Sequence, residues 1–276
     1  MNQYLSEGAA NAADTEIGAP VVPGLAVREL LLARGSRTLV AGFTQCFLPG
    51  QIWCIAGPNG VGKTTLIESL AGLCQAQQGE IKLDGRVLLS WSTVALARRR
   101  ALLPQTLQDI FSSSVFETVL LSRYPYLAGW GWETKQDHLA TWAALASWNL
   151  ASLATRDVMS LSGGERQRVA LAAVLCQQTP LLLLDEPLAY LDLPYQIDCL
   201  QRLQSWVGDA QRTIIFSCHD LNLARRFATH ALLLDGNGAA YSGLAREILS
   251  PILVSRVFQY PFKLLQDAEQ EILAPV

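Results

Sequence analysis

The chain has no excess of positive charge, no long hydrophobic run, no secretory start and no paired cysteine motif. Each absence closes off a class of function. Lys and Arg number 21 against 24 Asp and Glu, a net charge of −3. That balance lacks the basic footprint of nucleic-acid binding, so no nucleic-acid partner is expected. The clusters Arg98–Arg100 and Arg166–Arg168 are short and local. The apolar run Leu181–Leu184 stops at Asp185, far short of the roughly 20 residues that a membrane-spanning helix needs. The N-terminus does not place an apolar block after a basic start, so it does not read as a signal peptide. Residues 1–20 are small and polar and are expected to be disordered. The six cysteines (Cys46, Cys54, Cys74, Cys176, Cys199 and Cys218) form no C-x-x-C pair, and several lie in apolar runs such as "IWCIAG" and "IIFSCH". Buried, reduced cytosolic thiols explain them better than metal ligation. No internal repeat and no sustained heptad pattern is evident.

What is present is apolar bulk. Half of the 276 residues are hydrophobic, enough for the core of one large domain with a subdomain. Four runs read as buried strands: "QIWCIAG" (Gln51–Gly57), "TPLLLLDEP" (Thr179–Pro187), "RTIIFSCHD" (Arg212–Asp220) and "ATHALLLDG" (Ala228–Gly236). Continuous apolar runs suit a parallel sheet covered on both faces. Helical stretches such as Lys63–Ala71 and Glu165–Cys176 lie between them. The alternation predicts an α/β fold with ligands at the carboxyl ends of its strands. From Thr106 to Ser160 the pattern is helical, and it holds Trp130, Trp132, Trp142 and Trp148. It reads as a helical subdomain inserted into the α/β core. Tyr241–Val276 carries Pro251 and Pro261, and its fold is not legible.

"GPNGVGKTT" (Gly57–Thr65) fits G-x-x-x-x-G-K-[ST] between a strand and a helix, the context which that motif requires. Gly57, Pro58, Asn59, Gly60, Val61 and Gly62 would wrap backbone N–H groups around phosphate oxygens, aided by the helix dipole. Lys63 would supply a point charge, and Thr64, with Thr65 beside it, a hydroxyl for Mg2+. In "LLLLDEP", Asp185 is placed to hold the Mg2+ shell. Glu186 is the candidate base for the attacking water. His219 ends a third strand and could orient water near the γ-phosphate. Gln105, in "ALLPQ", could reach Mg2+ or water.

A second glycine-rich helix start raises a separate question. In "VMSLSGGERQRVALAA" (Val158–Ala173), Ser162 and Glu165 satisfy the S-x-x-E capping box. A capping box does not require Gly163 and Gly164. Bare glycines at a helix start suggest a second anion site, and the first loop already wraps one nucleotide's phosphates. The second could serve a nucleotide held by a neighbouring chain.

The ordered set "GPNGVGKTT", "LLPQ", "LSGGERQR", "LLLLDEP", "LAYLD" and "SCHD" resembles the ATP-binding cassette family over about Leu25–Gly243. The resemblance implies a P-loop NTPase (RecA-like) core with an inserted helical subdomain. It also implies a head-to-tail homodimer that binds two ATP with Mg2+. Each ATP would lie between the Lys63 loop of one chain and Ser162–Gly164 of the other, and Asp192 matches the loop linking the two sites. The organisation expected is a tail at 1–20, a cassette at 21–243 with the helical subdomain at about 106–160, and an extension at 244–276. The family often places an aromatic residue on adenine before the phosphate loop. Alignment puts that position near Leu32, so aliphatic contact is expected there instead.

A single cassette without membrane spans suggests a separate transporter subunit. "LARRRALLPQ", "VFETVLLSRYPYL", "LDLPYQIDCL" and "SCHDLNLARRFATHALLLDG" resemble the importer branch for iron chelates, haem and cobalamin. Tyr195 in "LDLPYQ" departs from the histidine usual there. The resemblance implies integral membrane permease subunits, a periplasmic substrate-binding protein acting indirectly, and a peripheral place on the cytoplasmic face of the inner membrane. Cobalamin or a ferric siderophore is favoured over haem. Phe111, Phe116, Tyr124 and Tyr126 either line a groove for the permease or pack the subdomain's own core. The alternatives are an exporter subunit, a soluble cassette ATPase acting on DNA or ribosomes, and a passive nucleotide-binding module. DNA-repair types carry long coiled coils, and ribosome-acting types usually carry two cassettes. Glu186 and His219 argue against a passive module.

Overall fold

The structure is a computed structural model that describes residues 24–106, 112–127, 132–208, 212–267 and 270–276. In chain order the strands are β1 (Leu25–Arg34), β2 (Arg37–Phe47), β3 (Ile52–Ala56), β4 (Gln78–Leu83), β5 (Arg86–Val87), β6 (Arg100–Leu103), β7 (Leu181–Leu184), β8 (Thr213–Ser217), β9 (His230–Leu234), β10 (Ala240–Leu244), β11 (Phe262–Asp267) and β12 (Gln270–Pro275). The helices are α1 (Lys63–Leu70), α2 (Thr93–Ala97), α3 (Val115–Leu120), α4 (Lys135–Ser147), α5 (Gly163–Cys176), α6 (Leu193–Val207), α7 (Leu221–Phe227), α8 (Ala245–Ile248) and α9 (Pro251–Phe258).

The four expected strands are β3, β7, β8 and β9. They join β6 and β10 in a six-stranded sheet of order β10-β9-β3-β8-β7-β6. All neighbours pair in parallel except β10 with β9. Burial on both faces explains their unbroken apolar runs. Cys54, Leu182, Phe216 and Leu233 point into a core shared with α5, α6 and α7, while Ile55, Leu183, Ile215 and Leu232 point into a second core over α1. The carboxyl ends of β3, β6, β7 and β8 lie side by side. Each runs directly into a loop that carries one of the candidate residues.

A second sheet, β2-β1-β4-β5, is antiparallel and covers the α1 side. The sequence pattern did not reveal it. Register shifts between Val27, Leu30, Leu32 and Ala33, with Glu29 at φ 49°, break the alternation that marks a half-buried strand.

Among its described residues the regular elements of the insertion are α3, α4 and short 3-10 turns. Its entry and exit are stitched by an isolated bridge, Ser114 to Asp157, flanked by Val115 N–H to Arg156 O at 2.9 Å and Val158 N–H to Ser113 O at 3.0 Å. Its core continues past Ser160, because α5 packs on both α3 and α4. A buried ion pair, Arg123 Nε to Asp137 Oδ1 at 3.0 Å, ties α4 to the preceding turn. Arg123 also donates to the Cys176 carbonyl at the end of α5 at 3.0 Å. Residues 244–276 complete β10 and form α8, α9 and the β11–β12 hairpin. They add Ala245, Leu249, Val254, Val257 and Leu273 to the main core. Of the cysteines, Cys54, Cys176, Cys199 and Cys218 are buried as expected, whereas Cys46 on β2 is exposed and Cys74 half-buried. Among the described residues no helix is long and apolar enough to cross a membrane.

Candidate functional site

The loop between β3 and α1 is shaped by its glycines. Gly57 stands at φ 146°, and a Cβ there would lie 2.5 Å from the Leu234 carbonyl oxygen. Gly62 caps α1 at φ 112° in the left-handed region, with no side-chain cap on the helix amides. Those amides stay open toward the groove. Lys63 folds back, and its Nζ donates to the carbonyl oxygens of Gly57 at 3.0 Å and Pro58 at 3.2 Å. Burial holds the Lys63 ammonium below its ordinary range, and the carboxylates of Glu186 and Asp185 partly offset this. Arg37 on β2 braces the loop through the Gly60 and Gly236 carbonyls, each at 3.2 Å.

The loop opens on a groove of about 740 Å³. Asn59 to Thr65 form one wall, and Gln105, Glu186 and His219 face them. These three side chains meet at one atom. Gln105 Nε2 donates to Glu186 Oε1 at 2.9 Å, and His219 Nε2 lies 2.9 Å from the same oxygen. Glu186 adopts φ 49°, an uncommon conformation for a residue with a side chain. Asp185, one residue before it, is only 2% exposed. Its Oδ1 accepts from Ser217 at 2.6 Å, and its Oδ2 is buried without a hydrogen-bond partner.

These residues fit Mg2+ shared with nucleotide phosphates. The orphaned Asp185 oxygen and the Thr64 hydroxyl supply hard oxygen donors. No group of three His, Cys, Asp or Glu among the described residues could hold a metal alone, so phosphate oxygens would complete the shell. A phosphate seat, a cation and a poised carboxylate are the parts that phosphoryl transfer to water requires.

The ABC transporter family profile matches residues 41–189. The chain belongs to that family. Curated relatives include the iron(3+)-hydroxamate import ATP-binding protein FhuC of Bacillus subtilis, 35% identical over 88% of this chain and 90% of the relative. The hemin import ATP-binding protein HmuV of Pseudomonas entomophila is 39% identical over 85% and 92%. Among solved structures, a metal-chelate type ABC transporter in an inward-facing conformation matches with a TM-score of 0.79 and 27% identity over 92% of this chain and 97% of that one. The chain is accordingly an ABC ATPase with a P-loop NTPase fold.

Within this cassette the expected residues fall into two groups. Lys63, Thr64, Thr65, Gln105, Glu186 and His219 line the groove, Asp185 is buried next to Glu186 in the chain, and Gly57 and Pro58 hold Lys63 through their carbonyls. Ser162, Gly163, Gly164 and Asp192 do not line it. Ser162 forms the full capping box: its Oγ accepts Glu165 N–H at 3.3 Å, and Glu165 Oε2 accepts Ser162 N–H at 2.8 Å. Gly164 has a reason within the chain, since a Cβ would lie 3.0 Å from the Tyr190 carbonyl oxygen. At Gly163 a Cβ would meet only the Tyr190 side chain, at 3.5 Å or more. A Cβ at Gly164 would thus press on the Tyr190 carbonyl, whereas one at Gly163 would make ordinary contact. Asp192 starts α6 without a capping bond.

The expectation at Leu32 is corrected. Leu32 is 1% exposed and packs in the core beneath β1. The groove is lined instead by Ala33 and Arg34, where β1 ends. The strand's alternation turns Leu32 inward, which a linear alignment does not show. Of the four aromatics, Phe116 packs on His138 and Trp142. Tyr126 lies under Arg123, Tyr124 is exposed, and Phe111 lies outside the described residues. Arg37, Ser217 and Gln167 carry contacts that sequence reasoning missed. Gln167 Nε2 donates to the Pro187 carbonyl at 2.9 Å and so holds the loop after Glu186.

Proposed function

We propose that the chain is the ATP-hydrolysing subunit of an importer for a metal chelate, working as a homodimer beneath separate membrane permease subunits. The observation that carries this reading is the convergence of Gln105 and His219 on one oxygen of Glu186, facing the Lys63 loop. In this reading Gly57–Thr65 hold the phosphates, and Lys63 leaves its carbonyl partners for the outer phosphates. Thr64, Asp185 and Gln105 hold Mg2+, which when bound neutralises charge on the phosphates. Glu186 takes a proton from the attacking water through its carboxylate, with His219 orienting that carboxylate and the γ-phosphate. Ser162, Gly163 and Asp192 act on the partner's nucleotide, in keeping with their place away from the groove of their own chain. The relatives named for iron(3+)-hydroxamate and hemin support an iron-bearing chelate as cargo. The cargo would reach the permease from a periplasmic binding protein that never touches this chain. An apolar groove of about 210 Å³ between β6, α3 and α5 begins at Pro104, next to Gln105. It is the proposed seat of a permease segment.

Glu186→Gln removes the base and keeps the phosphate clamp. Hydrolysis should fall by about a hundredfold or more, with ATP-bound dimers accumulating on size exclusion. Unchanged steady-state turnover would remove Glu186 from this role. Tagged Glu186→Gln protein, extracted with mild detergent in ATP and Mg2+, should bring down a polytopic membrane protein in stoichiometric amount. Recovery of soluble partners alone would overturn the importer and leave the ATPase.

A further inference from the structure

The ladder between β7 and β8 ends at Leu184 and Phe216. One residue further, the pairing is taken over by a side chain. Ser217 is fully buried. Its hydroxyl is 2.6 Å from Asp185 Oδ1 and 2.7 Å from the backbone nitrogen of Glu186. A hydroxyl has a single proton, and a backbone N–H can only donate. The direction of both bonds follows: Glu186 N–H donates to Ser217 Oγ, and Ser217 donates its proton to Asp185 Oδ1. This fixes which carboxylate oxygen is engaged. Asp185 Oδ2 is left buried and unpartnered, the free atom of that carboxylate.

The same hydroxyl bears on Glu186. A residue with a side chain keeps a left-handed φ only where its surroundings over-determine it. At Glu186 the carboxylate is held by Gln105 and His219, and the N–H is held by Ser217. Among the described contacts, Ser217 alone ties both acidic residues through hydrogen bonds from one atom. We propose that Ser217 is a positioning residue for hydrolysis. It orients Asp185 so that Oδ2 faces the cation, and it anchors the backbone turn that aims the Glu186 carboxylate into the groove. This inference rests on the roles given above to Asp185 and Glu186.

The test uses the full chain with Ser217→Ala, which deletes the hydroxyl, and Ser217→Cys, which leaves a weaker and larger donor in its place. Mn2+ is the probe cation, titrated by electron paramagnetic resonance against ADP-loaded protein. ADP affinity is measured separately in chelator, and kcat with Mg2+ and ATP. Losing a hydrogen bond to a charged group should weaken Mn2+ binding by about tenfold and lower kcat by a similar factor in Ser217→Ala. Ser217→Cys should fall between it and the wild type. Cation-free ADP affinity should stay within about twofold, because the Lys63 loop is untouched. Wild-type Mn2+ affinity and kcat in Ser217→Ala would overturn the proposal. So would a cation-free ADP affinity that falls in step with them, since that reports general loosening of the site. Asp185→Asn separates the two layers of argument. If it binds Mn2+ as the wild type does, the reading of Asp185 itself fails. If it loses Mn2+ while Ser217→Ala does not, only the positioning role fails.

Discussion

Two helices of this chain begin at glycine, α1 at the nucleotide groove and α5 away from it, and they begin differently. At α1 the cap is Gly62, left-handed and without a capping side chain, so the amides are open to a ligand, and Lys63 is held only by the Gly57 and Pro58 carbonyls. At α5 the cap is Ser162, whose box with Glu165 already satisfies two backbone donors. The first start is an open seat that a nucleotide must fill. The second is complete in itself and offers only the Gly163 and Gly164 amides and a serine already in use. Affinity should therefore reside almost wholly at α1. The contribution of α5 should be felt only when a phosphate is brought to it, and its stability should not depend on ligand. In the proposed head-to-tail dimer, an asymmetric pair of this kind would let a single chain bind nucleotide without hydrolysing it until a second chain arrives.

The largest effect is expected at the open seat. Lys63→Ala should lower hydrolysis by about a hundredfold or more and weaken ATP binding in the single chain. Retained affinity in a fluorescent-nucleotide titration would mean that the glycine loop suffices without the charge. The next effect tests the second start. Gly163 has room for a side chain, so Gly163→Asp should fold and bind ATP normally. It should still lose about a hundredfold in turnover, because a carboxylate would face a phosphate. Mixing Lys63→Ala with Gly163→Asp chains should restore turnover through one competent site per mixed dimer. Mixtures as inactive as both parents would break the division of labour.

A smaller effect concerns the cap itself. Ser162→Ala should cost about 1 kcal/mol of stability by denaturant titration. The Ser162 N–H and hydroxyl hold the Glu165 carboxyl below its usual range. A depressed carboxyl stabilises above its unfolded value and loses that contribution as pH falls through the folded one. Stability of the wild type should thus decline on acidification in a way that Glu165→Gln does not reproduce. Parallel declines in the two proteins would show that the box adds nothing to α5.

Much of the core was legible because buried parallel strands write themselves as continuous apolar runs. β3, β7 and β8 run out into the loops that carry Gly57, Asp185 and His219, so these candidate site residues were legible with them. The antiparallel sheet was not, because its bulges and the left-handed Glu29 disrupt the period that betrays a strand. β11 escaped notice for a related reason: Leu264 and Leu265 are adjacent, which breaks alternation. The supporting contacts were hidden for another reason. Ser217 is a small residue in an apolar run, and Gln167 lies among charges that read as a solvated helix face. Arg37 is separated by many residues from the loop it braces. Their roles depend on partners distant in sequence, and only the fold brings those together.

The smallest effect lies at the rim of the open seat, and it separates the inward and outward residues of a single strand. Leu32 and Arg34 are two residues apart, yet the first is buried and the second is exposed on the groove. A guanidinium can stack on a planar ring with a gain of about 0.5–1 kcal/mol at an exposed position. Arg34→Ala should therefore raise KM for ATP about two- to fivefold with kcat unchanged, the pattern expected when a contact is equally strong in ground and transition states. Leu32→Val should do the opposite, lowering thermal stability through a small cavity while leaving KM alone. A KM change at Leu32 with none at Arg34 would mean that the base lies deeper against β1 than the groove indicates, and that the adenine contact is aliphatic after all.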